Sequence, residues 1–331
     1  MKICKRCVLP ANFPHVTFDS RGVCNLCRDY EKTGPTSARL GSKYRHDFKR
    51  LIKKVSGRQA YDILVCYSGG KDSSYTLHIL KNIYKLNILA FTVDNGFVPE
   101  RTYVNIRNVV ESLGIDHIFF KPRFDLLRKV FKASANKSLY SPKSLERAST
   151  VCTSCMGLVK YLAIKTAIEK DIPLIGFGWS PGQAPVTSSI LTVDPAMMKS
   201  MERVLKEPML KIAGRSIEAY FPRSEQYARI GHFPSFVHPL AFHDYNEKQI
   251  IRFIRKLGWK MPEGVDANAT NCLLNSFADK VHIKKYGFHP YASEIAALVR
   301  QGCMTRAEGL KHLPVKKNPK VVRMVMGKLG I

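Results

Sequence analysis

From Tyr61 onward the pattern of apolar and polar positions becomes that of alternating strand and helix. Residues 62–67 form an apolar run of strand length, and the helix expected after it carries Leu77, Leu80 and Tyr84 on one face. Residues 87–93 predict a second strand, ending at Asp94-Asn95-Gly96. A helix through Val104, Val109 and Leu113 and a third strand at residues 117–120 follow. An amphipathic helix with Leu158, Leu162, Ala163 and Ala167 then leads into a buried strand at residues 173–177. Strands that are apolar throughout, separated by amphipathic helices, predict an α/β fold whose parallel sheet is covered on both faces. Ligands of such sheets bind beyond the carboxyl ends of the strands. That rim is expected to hold residues 68–73, Asp94 and residues 176–183, with Gly176 to Trp179 beside the nucleotide.

The flanking regions read differently. Residues 1–30 show little regular pattern and predict a small module. Residues 31–60 are polar and basic and predict a linker followed by a helix. The sheet domain is expected over residues 61–240. Within it, residues 180–236 look irregular, with Pro181, Pro185, Pro195, Pro208, Pro222 and Pro234. An insertion of that length reads as a substrate-facing lid or an oligomer contact. Residues 241–331 predict a helical region. There Asn246 precedes a helix with Ile250, Ile251, Ile254 and Leu257 inward and Gly258 at its end, and Thr305-x-x-Glu308 forms a capping box. No internal repeat or low-complexity tract is present in the sequence.

Charge changes the picture of the partners. The 331 residues hold 53 Lys and Arg against 26 Asp and Glu, a formal net charge of +27. Such a field concentrates polyanions such as RNA, nucleotides or nucleotide-sugars, although a general basic bias that aids solubility gives the same count. Lys311, Lys316, Lys317, Lys320, Arg323 and Lys328 make a basic tail with no acid after Glu308. No apolar run reaches the roughly 18 residues of a membrane span, and the N-terminus reads as lacking a secretory signal. Nine cysteines in such a chain point to metal or redox chemistry in a reducing compartment, so the cytoplasm is expected, with no membrane partner.

The chemistry concentrates in three places. Ser68-Gly69-Gly70-Lys71-Asp72-Ser73 follows the first strand and opens a helix. Two glycines let backbone N–H groups converge on an anion, and the helix adds its positive end. Lys71 supplies a point charge, and Ser68 and Ser73 supply hydroxyl donors. Cys4-x-x-Cys7 and Cys24-x-x-Cys27 have the spacing of a tetrahedral zinc–thiolate site, with a pair of redox disulfides as the other reading. Because so short a segment cannot build its own core, metal binding is expected to supply much of its folding energy. Cys152-x-x-Cys155 opens a helix, and Cys272 stands alone much later. Together these three can hold three irons of a [4Fe–4S] cluster and leave the fourth open, with the helix N-terminus lowering the pair's thiol pKa values. A transient disulfide and simple packing are the other readings of that set. Cys66 reads as core packing, and Cys303 has no evident partner.

The hexapeptide at residues 68–73 resembles the SGGxDS loop of the PP-loop ATP pyrophosphatases. That resemblance implies a PP-loop (adenine nucleotide alpha hydrolase-like) domain between an N-terminal zinc module and a helical C-terminal region. It also implies ATP and Mg²⁺ at Ser68, Gly69, Gly70, Lys71, Asp72 and Ser73, with Lys71 and Asp72 in catalytic roles. Asp94 and Gly176 are expected at the ATP site from their place on the rim, Asp94 with capping of the next helix as its other reading. Cys152 and Cys155 are catalytic candidates through the cysteine set. The opening Met-Lys-x-Cys-x-x-Cys-x-x-Pro, Phe18-Asp19, Gly22-Val23-Cys24 and Tyr30-Glu31 resemble the N-acetyl sugar amidotransferases of surface-glycan biosynthesis. So do Leu273-Leu274-Asn275, Lys284-Lys285-Tyr286-Gly287-Phe288-His289, Ala292-Ser293 and the run from Ile295 to Arg306. This implies that ATP adenylates an acetamido oxygen on an N-acetyl sugar or nucleotide-sugar. Ammonia from a separate glutaminase then displaces AMP. The set of Cys152, Cys155 and Cys272 instead resembles the iron–sulfur-dependent tRNA thiolases, which implies tRNA and a sulfur carrier as partners. A homodimer is expected.

Overall fold

Alternate residues of the central strands point to opposite faces of the sheet, and both faces are apolar. In β1 (Ile63–Cys66), Leu64 and Cys66 join one buried cluster while Ile63 and Val65 join another. In β2 (Ile88–Val93), Leu89 and Phe91 divide from Ile88 and Ala90 in the same way. A strand buried on both sides has no polar face, which is why these runs read as unbroken. The computed structural model describes residues 2–223, 225–226, 233–314 and 318–331, so Lys316 and Lys317 of the basic set lie outside the described residues.

With β3 (Asp116–Phe120), β4 (Leu174–Phe177), β5 (Ile190–Leu191) and β6 (Ser235–Val237), the sheet has six strands in the order β3-β2-β1-β4-β6-β5. All neighbours are parallel except β5, which runs antiparallel to β6 at the edge. Val65 of β1 lies between Ala90 and Gly176. The chain winds one way from β1 through β2 to β3 and the other way to β4. The crevice for a ligand therefore opens beyond the carboxyl ends of β1 and β4.

One face is covered by α1 (Asn25–Val55), α2 (Lys71–His78, continued by a π-turn over Ile79–Ile83) and α3 (Glu100–Leu113). The other is covered by α4 (Phe124–Asn136), with the short α5 (Pro142–Leu145) leading to α6 (Thr150–Glu169). Among the described residues α6 alone is long and apolar enough to cross a membrane, and half of its apolar window is buried inside the molecule. It packs on β1 and β4 as a core helix.

Three expectations need correction. The linker in residues 31–60 is absent, because α1 runs unbroken from Asn25 to Val55. Cys24 and Cys27 anchor its first turn, and Phe48, Tyr44, Leu51 and Ile52 bury its far end against the sheet cluster, so packing at both ends carries the helix through the polar middle. Residues 180–236 are not one irregular insertion. They contain β5, α7 (Pro195–Met201), α8 (Glu207–Ala213) and β6, and Pro195 and Pro208 sit in first helical turns, where a missing N–H costs nothing. The last segment is no free tail. After α9 (Glu247–Arg255), α10 (Leu274–Tyr286), α11 (Ala292–Arg300) and α12 (Arg306–His312), α13 (Pro319–Leu329) buries Val322, Val325 and Leu329 in the core. Its Lys328 donates to the carbonyl of Gly96 at 2.5 Å.

The expected caps are present: Asn246 accepts from the Gln249 N–H, and Thr305 with Glu308 forms the complete capping box.

Candidate active site

The loop between β1 and α2 is shaped by its glycines and clamped from the C-terminal region. Gly69 has φ +74°, and a Cβ there would come within 2.7 Å of Thr102 and Ile106, so only glycine fits. Trp259 Nε1 donates to the Gly69 carbonyl at 2.9 Å, and Thr270 Oγ1 accepts from the Lys71 N–H at 3.1 Å. The hydroxyls of Ser68 and Ser73 lie 3.1 Å apart, and Ser74 Oγ donates to the Gly70 carbonyl. Gly178 lies so close to the first turn of α2 that a Cβ would sit 2.5 Å from Ser73 Cα. The glycine turn at this helix N-terminus, with the hydroxyls of Ser68 and Ser73 beside it, suits the phosphates of a nucleotide, although the Lys71 N–H itself is taken by Thr270.

Lys71 is held rather than free. Its Nζ donates to Asp72 Oδ2 at 2.7 Å and to the Tyr245 hydroxyl at 3.2 Å, with Glu247 at 3.9 Å. Tyr245 in turn donates to Asp72 Oδ1 at 2.9 Å. Burial pulls the Lys71 pKa down, but Asp72, Tyr245 and Glu247 more than offset it and hold it well above the usual lysine value. The ammonium thus lies on the cleft wall, charged and preorganised.

The cleft beyond β1 and β4 brings this loop and the second cysteine set together. Ser68, Gly70, Lys71, Asp72 and Ser73 line it along with Cys152, Cys155 and Cys272. Asn95 joins two of the three: its Nδ2 lies 3.5 Å from Cys155 Sγ and 3.3 Å from Cys272 Sγ. The Cys152 thiol points to Asn275 Oδ1 at 3.7 Å, an oxygen that also accepts from the Tyr291 hydroxyl at 3.0 Å. Three soft thiol donors line the same cleft, a donor set whose chemistry suits an iron–sulfur cluster. The expected lowering of the thiol pKa values does not occur. Burial raises Cys152 well above the thiol value and Cys155 to about 12, and it raises Cys272 against the opposing Asn95 hydrogen bond. Desolvation outweighs the helix dipole here, so the metal-free thiols are protonated and metal binding must release their protons.

Two rim residues are displaced from their expected places. Asp94 does not line the cleft. Its Oδ1 accepts from the Gly96 N–H at 2.8 Å, and Lys121 approaches its Oδ2 at 3.6 Å, so it shapes the turn after β2 while Asn95 faces the site. Gly176 lies inside β4, packed over Ile63, Val65 and Leu80, and the rim begins with Phe177, Gly178 and Trp179. Cys66 is buried as expected, yet it also lines the cleft.

Sequence reasoning missed Asn95, Lys160, Tyr245, Trp259, Thr270 and Tyr291. Lys160 stands 5.0 Å from the ring centre of Trp179 and 5.5 Å from that of Phe236, and burial lowers its pKa. Only the tryptophan had a signal, as one of two in the chain.

The N-terminal cysteines form a separate centre. The sulfurs of Cys4, Cys7, Cys24 and Cys27 all lie within 4.8 Å of one another and are fully buried. Backbone N–H groups of Arg6, Cys7 and Cys24 point at Cys4 Sγ, and that of Leu9 points at Cys7 Sγ. Hydrogen bonds from Cys24 and Cys27 hold Cys7 far below the usual thiol value. Four thiols with such donors fit a tetrahedral metal and leave no position open for substrate. The module shares its core with the far end of the chain: Val8, Leu9 and Phe13 pack with Phe288, Ala292, Ile295 and Ala296. Arg306 donates to the carbonyls of Cys4 and Cys7.

No protein-family model matches the chain. Over 317 residues it is 23% identical to an uncharacterized protein of Methanocaldococcus jannaschii, covering 96% of this chain and 94% of that one. Among solved structures it is similar to the U34-tRNA thiolase NcsA from Methanococcus maripaludis with its [4Fe-4S] cluster, at 18% identity and TM-score 0.36, over 97% of this chain and 96% of that one. It is also similar to the NH3-dependent NAD synthetase from Campylobacter jejuni, at 9% identity and TM-score 0.33, over 69% of this chain and 98% of that one.

Proposed function

We propose that the protein is an ATP-dependent, AMP-forming enzyme that adenylates a carbonyl oxygen and exchanges it for a heteroatom. The observation that carries this reading is the shared cleft, lined both by Ser68, Gly70, Lys71, Asp72 and Ser73 of the loop and by Asn95, Asn275 and Tyr291. An amide oxygen is a poor leaving group. Its attack on the α-phosphorus of ATP expels pyrophosphate and converts it into a good one. The loop N–H groups, Ser68, Ser73 and the Lys71 ammonium stabilise the charge that builds on the departing pyrophosphate, and bound Mg²⁺ would share it. The nucleophile then adds to the same carbon, and the oxygen leaves with AMP.

For the incoming atom we favour nitrogen on an N-acetyl sugar, with ammonia supplied by a separate glutaminase. The segments that resemble the sugar amidotransferases support this reading by their location. Leu274 and Asn275 line the cleft, and Phe288 and Ala292 join the C-terminal helices to the cysteine module. Cys152, Cys155 and Cys272 in the same cleft favour a second reading, in which a cluster at these thiols delivers sulfur to a tRNA base.

The test is anaerobic turnover of ATP with nucleotide-activated N-acetyl sugars and ammonium, or with tRNA and sulfide, following AMP and pyrophosphate. An oxygen label in the acetamido group that appears in AMP supports the nitrogen reading. AMP formation only with tRNA and sulfide moves the assignment to sulfur, and no AMP with either pair overturns the enzyme reading.

A further inference from the structure

Asn95 is the one side chain described here that reaches two cleft cysteines at once. Its carboxamide is used completely. Oδ1 accepts from the Phe97 N–H at 2.9 Å and closes the turn after β2, while Nδ2 is shared between Cys155 Sγ and Cys272 Sγ. The residue is 9% exposed and belongs to neither cysteine-bearing segment. Cys155 comes from the first turns of α6 and Cys272 from the segment before α10. Three parts of the chain therefore meet at one amide.

We infer that Asn95 is a positioning residue that sets the spacing of Cys155 and Cys272 and, by donating to both sulfurs, stabilises the electron-rich state of a cluster held there. The physical reason is direct. An N–H donor beside a thiolate sulfur lowers the energy of the more negative state, and hydrogen bonds to the ligating sulfurs are a principal control of cluster potential. The inference rests on the fit of these cysteines to a cluster and does not depend on whether nitrogen or sulfur is transferred.

Two substitutions separate the roles of the carboxamide. Asn95→Leu removes both the donor and the acceptor without adding charge, whereas Asn95→Asp keeps an oxygen that accepts from Phe97 but replaces the donor with a negatively charged carboxylate. Each variant is made in the full chain, reconstituted anaerobically with iron and sulfide, and compared with wild type. The readouts are iron retained during gel filtration, the redox titration of the cluster, and metal bound at Cys4, Cys7, Cys24 and Cys27 as a control for folding.

The expected result is an unchanged control metal in both variants. In Asn95→Leu the reduced-to-oxidised ratio at a fixed potential falls about tenfold, the size of one lost hydrogen bond to a charged group, and iron is lost faster. In Asn95→Asp the added charge acts in the same direction and the ratio falls further. The same titration and iron retention as wild type in Asn95→Leu overturns the inference. Wild-type protein that takes up no iron at Cys152, Cys155 and Cys272 also overturns it, while AMP formation independently decides whether the ATP-dependent reading stands.

Discussion

Trp259 Nε1 donates a hydrogen bond to the carbonyl oxygen of Gly69 at 2.9 Å, although 190 residues separate the two in sequence. The indole is fully buried, so this bond has no competition from water. The loop of residues 68–73 is therefore held in shape by the helical C-terminal region and not by its own glycines alone. Trp259→Phe should lower stability by about 2 kcal/mol, from the unpaired carbonyl and the smaller ring. It should also raise the KM for ATP. Urea unfolding and AMP formation at varied ATP check both.

Gly178 meets the loop from the other side. A methyl group there would lie 2.5 Å from Ser73 Cα and 2.7 Å from Ser73 N, and backbone cannot move aside as a flexible side chain can. Gly178→Ala should push the first turn of α2 out of place. We expect a stability loss of about 1–3 kcal/mol and a fall in ATP turnover of about 100-fold. Nucleotide protection of the loop in hydrogen exchange separates the two effects.

Lys71 neutralises Asp72 and Glu247, whose side chains are only 20% and 21% exposed. As a phosphate-binding charge alone, Lys71 could be lost with the fold intact. The geometry adds a structural cost, because the two carboxylates lose their cation. Lys71→Met should abolish pyrophosphate release and also cost about 3 kcal/mol. Restoring part of the stability with a second change, Glu247→Gln, while activity stays absent, would separate the two roles.

Stripping metal from the four-cysteine centre should affect the end of the chain as well as its beginning. Cys24→Ser is expected to reduce bound metal and stability together. Protection should also fall in α11 and α12, which pack on the module and hold it through Arg306. Metal analysis with hydrogen exchange tests this, and unchanged metal per chain would contradict it.

Acid should destabilise the protein through histidines buried in neutral form. Burial lowers His282 and His289 to about 4, and neither ring nitrogen of His282 has a partner among the described residues. The unfolded chain takes up these protons near pH 6.5, before the folded one does, so stability is lost as the pH falls from 6.5 toward 4. Glu294 acts with the opposite sign. Burial raises it to about 7, so the folded state keeps a proton that the unfolded chain releases above about 4.5, and stability declines as pH rises through that interval. In His282→Phe the stability lost between pH 7.5 and pH 5 should shrink by about 2 kcal/mol. Denaturant titrations at the two pH values measure it.

The sequence by itself determined what local chemistry dictates. Unbroken apolar runs at β1, β2 and β4 announced a sheet buried on both faces. The glycines and helix start at residues 68–73 announced an anion cradle, and the paired cysteine spacings announced two centres. Each of these signals is carried by residues adjacent in the chain, so period and spacing reveal it. Tertiary structure decided which residue of a correctly placed loop faces the ligand. Asp94 was the natural choice by charge, but its Oδ1 accepts from the Gly96 N–H and Lys121 approaches its Oδ2, and its neutral neighbour Asn95 turns to the cysteines. It also decided that α1 continues through a polar stretch and that α13 docks on the core. Only folding brings Trp259, Thr270 and Tyr245 onto the loop. Long-range packing fixes these outcomes, and no local pattern records it, because the partners that satisfy each buried group lie far away in the sequence.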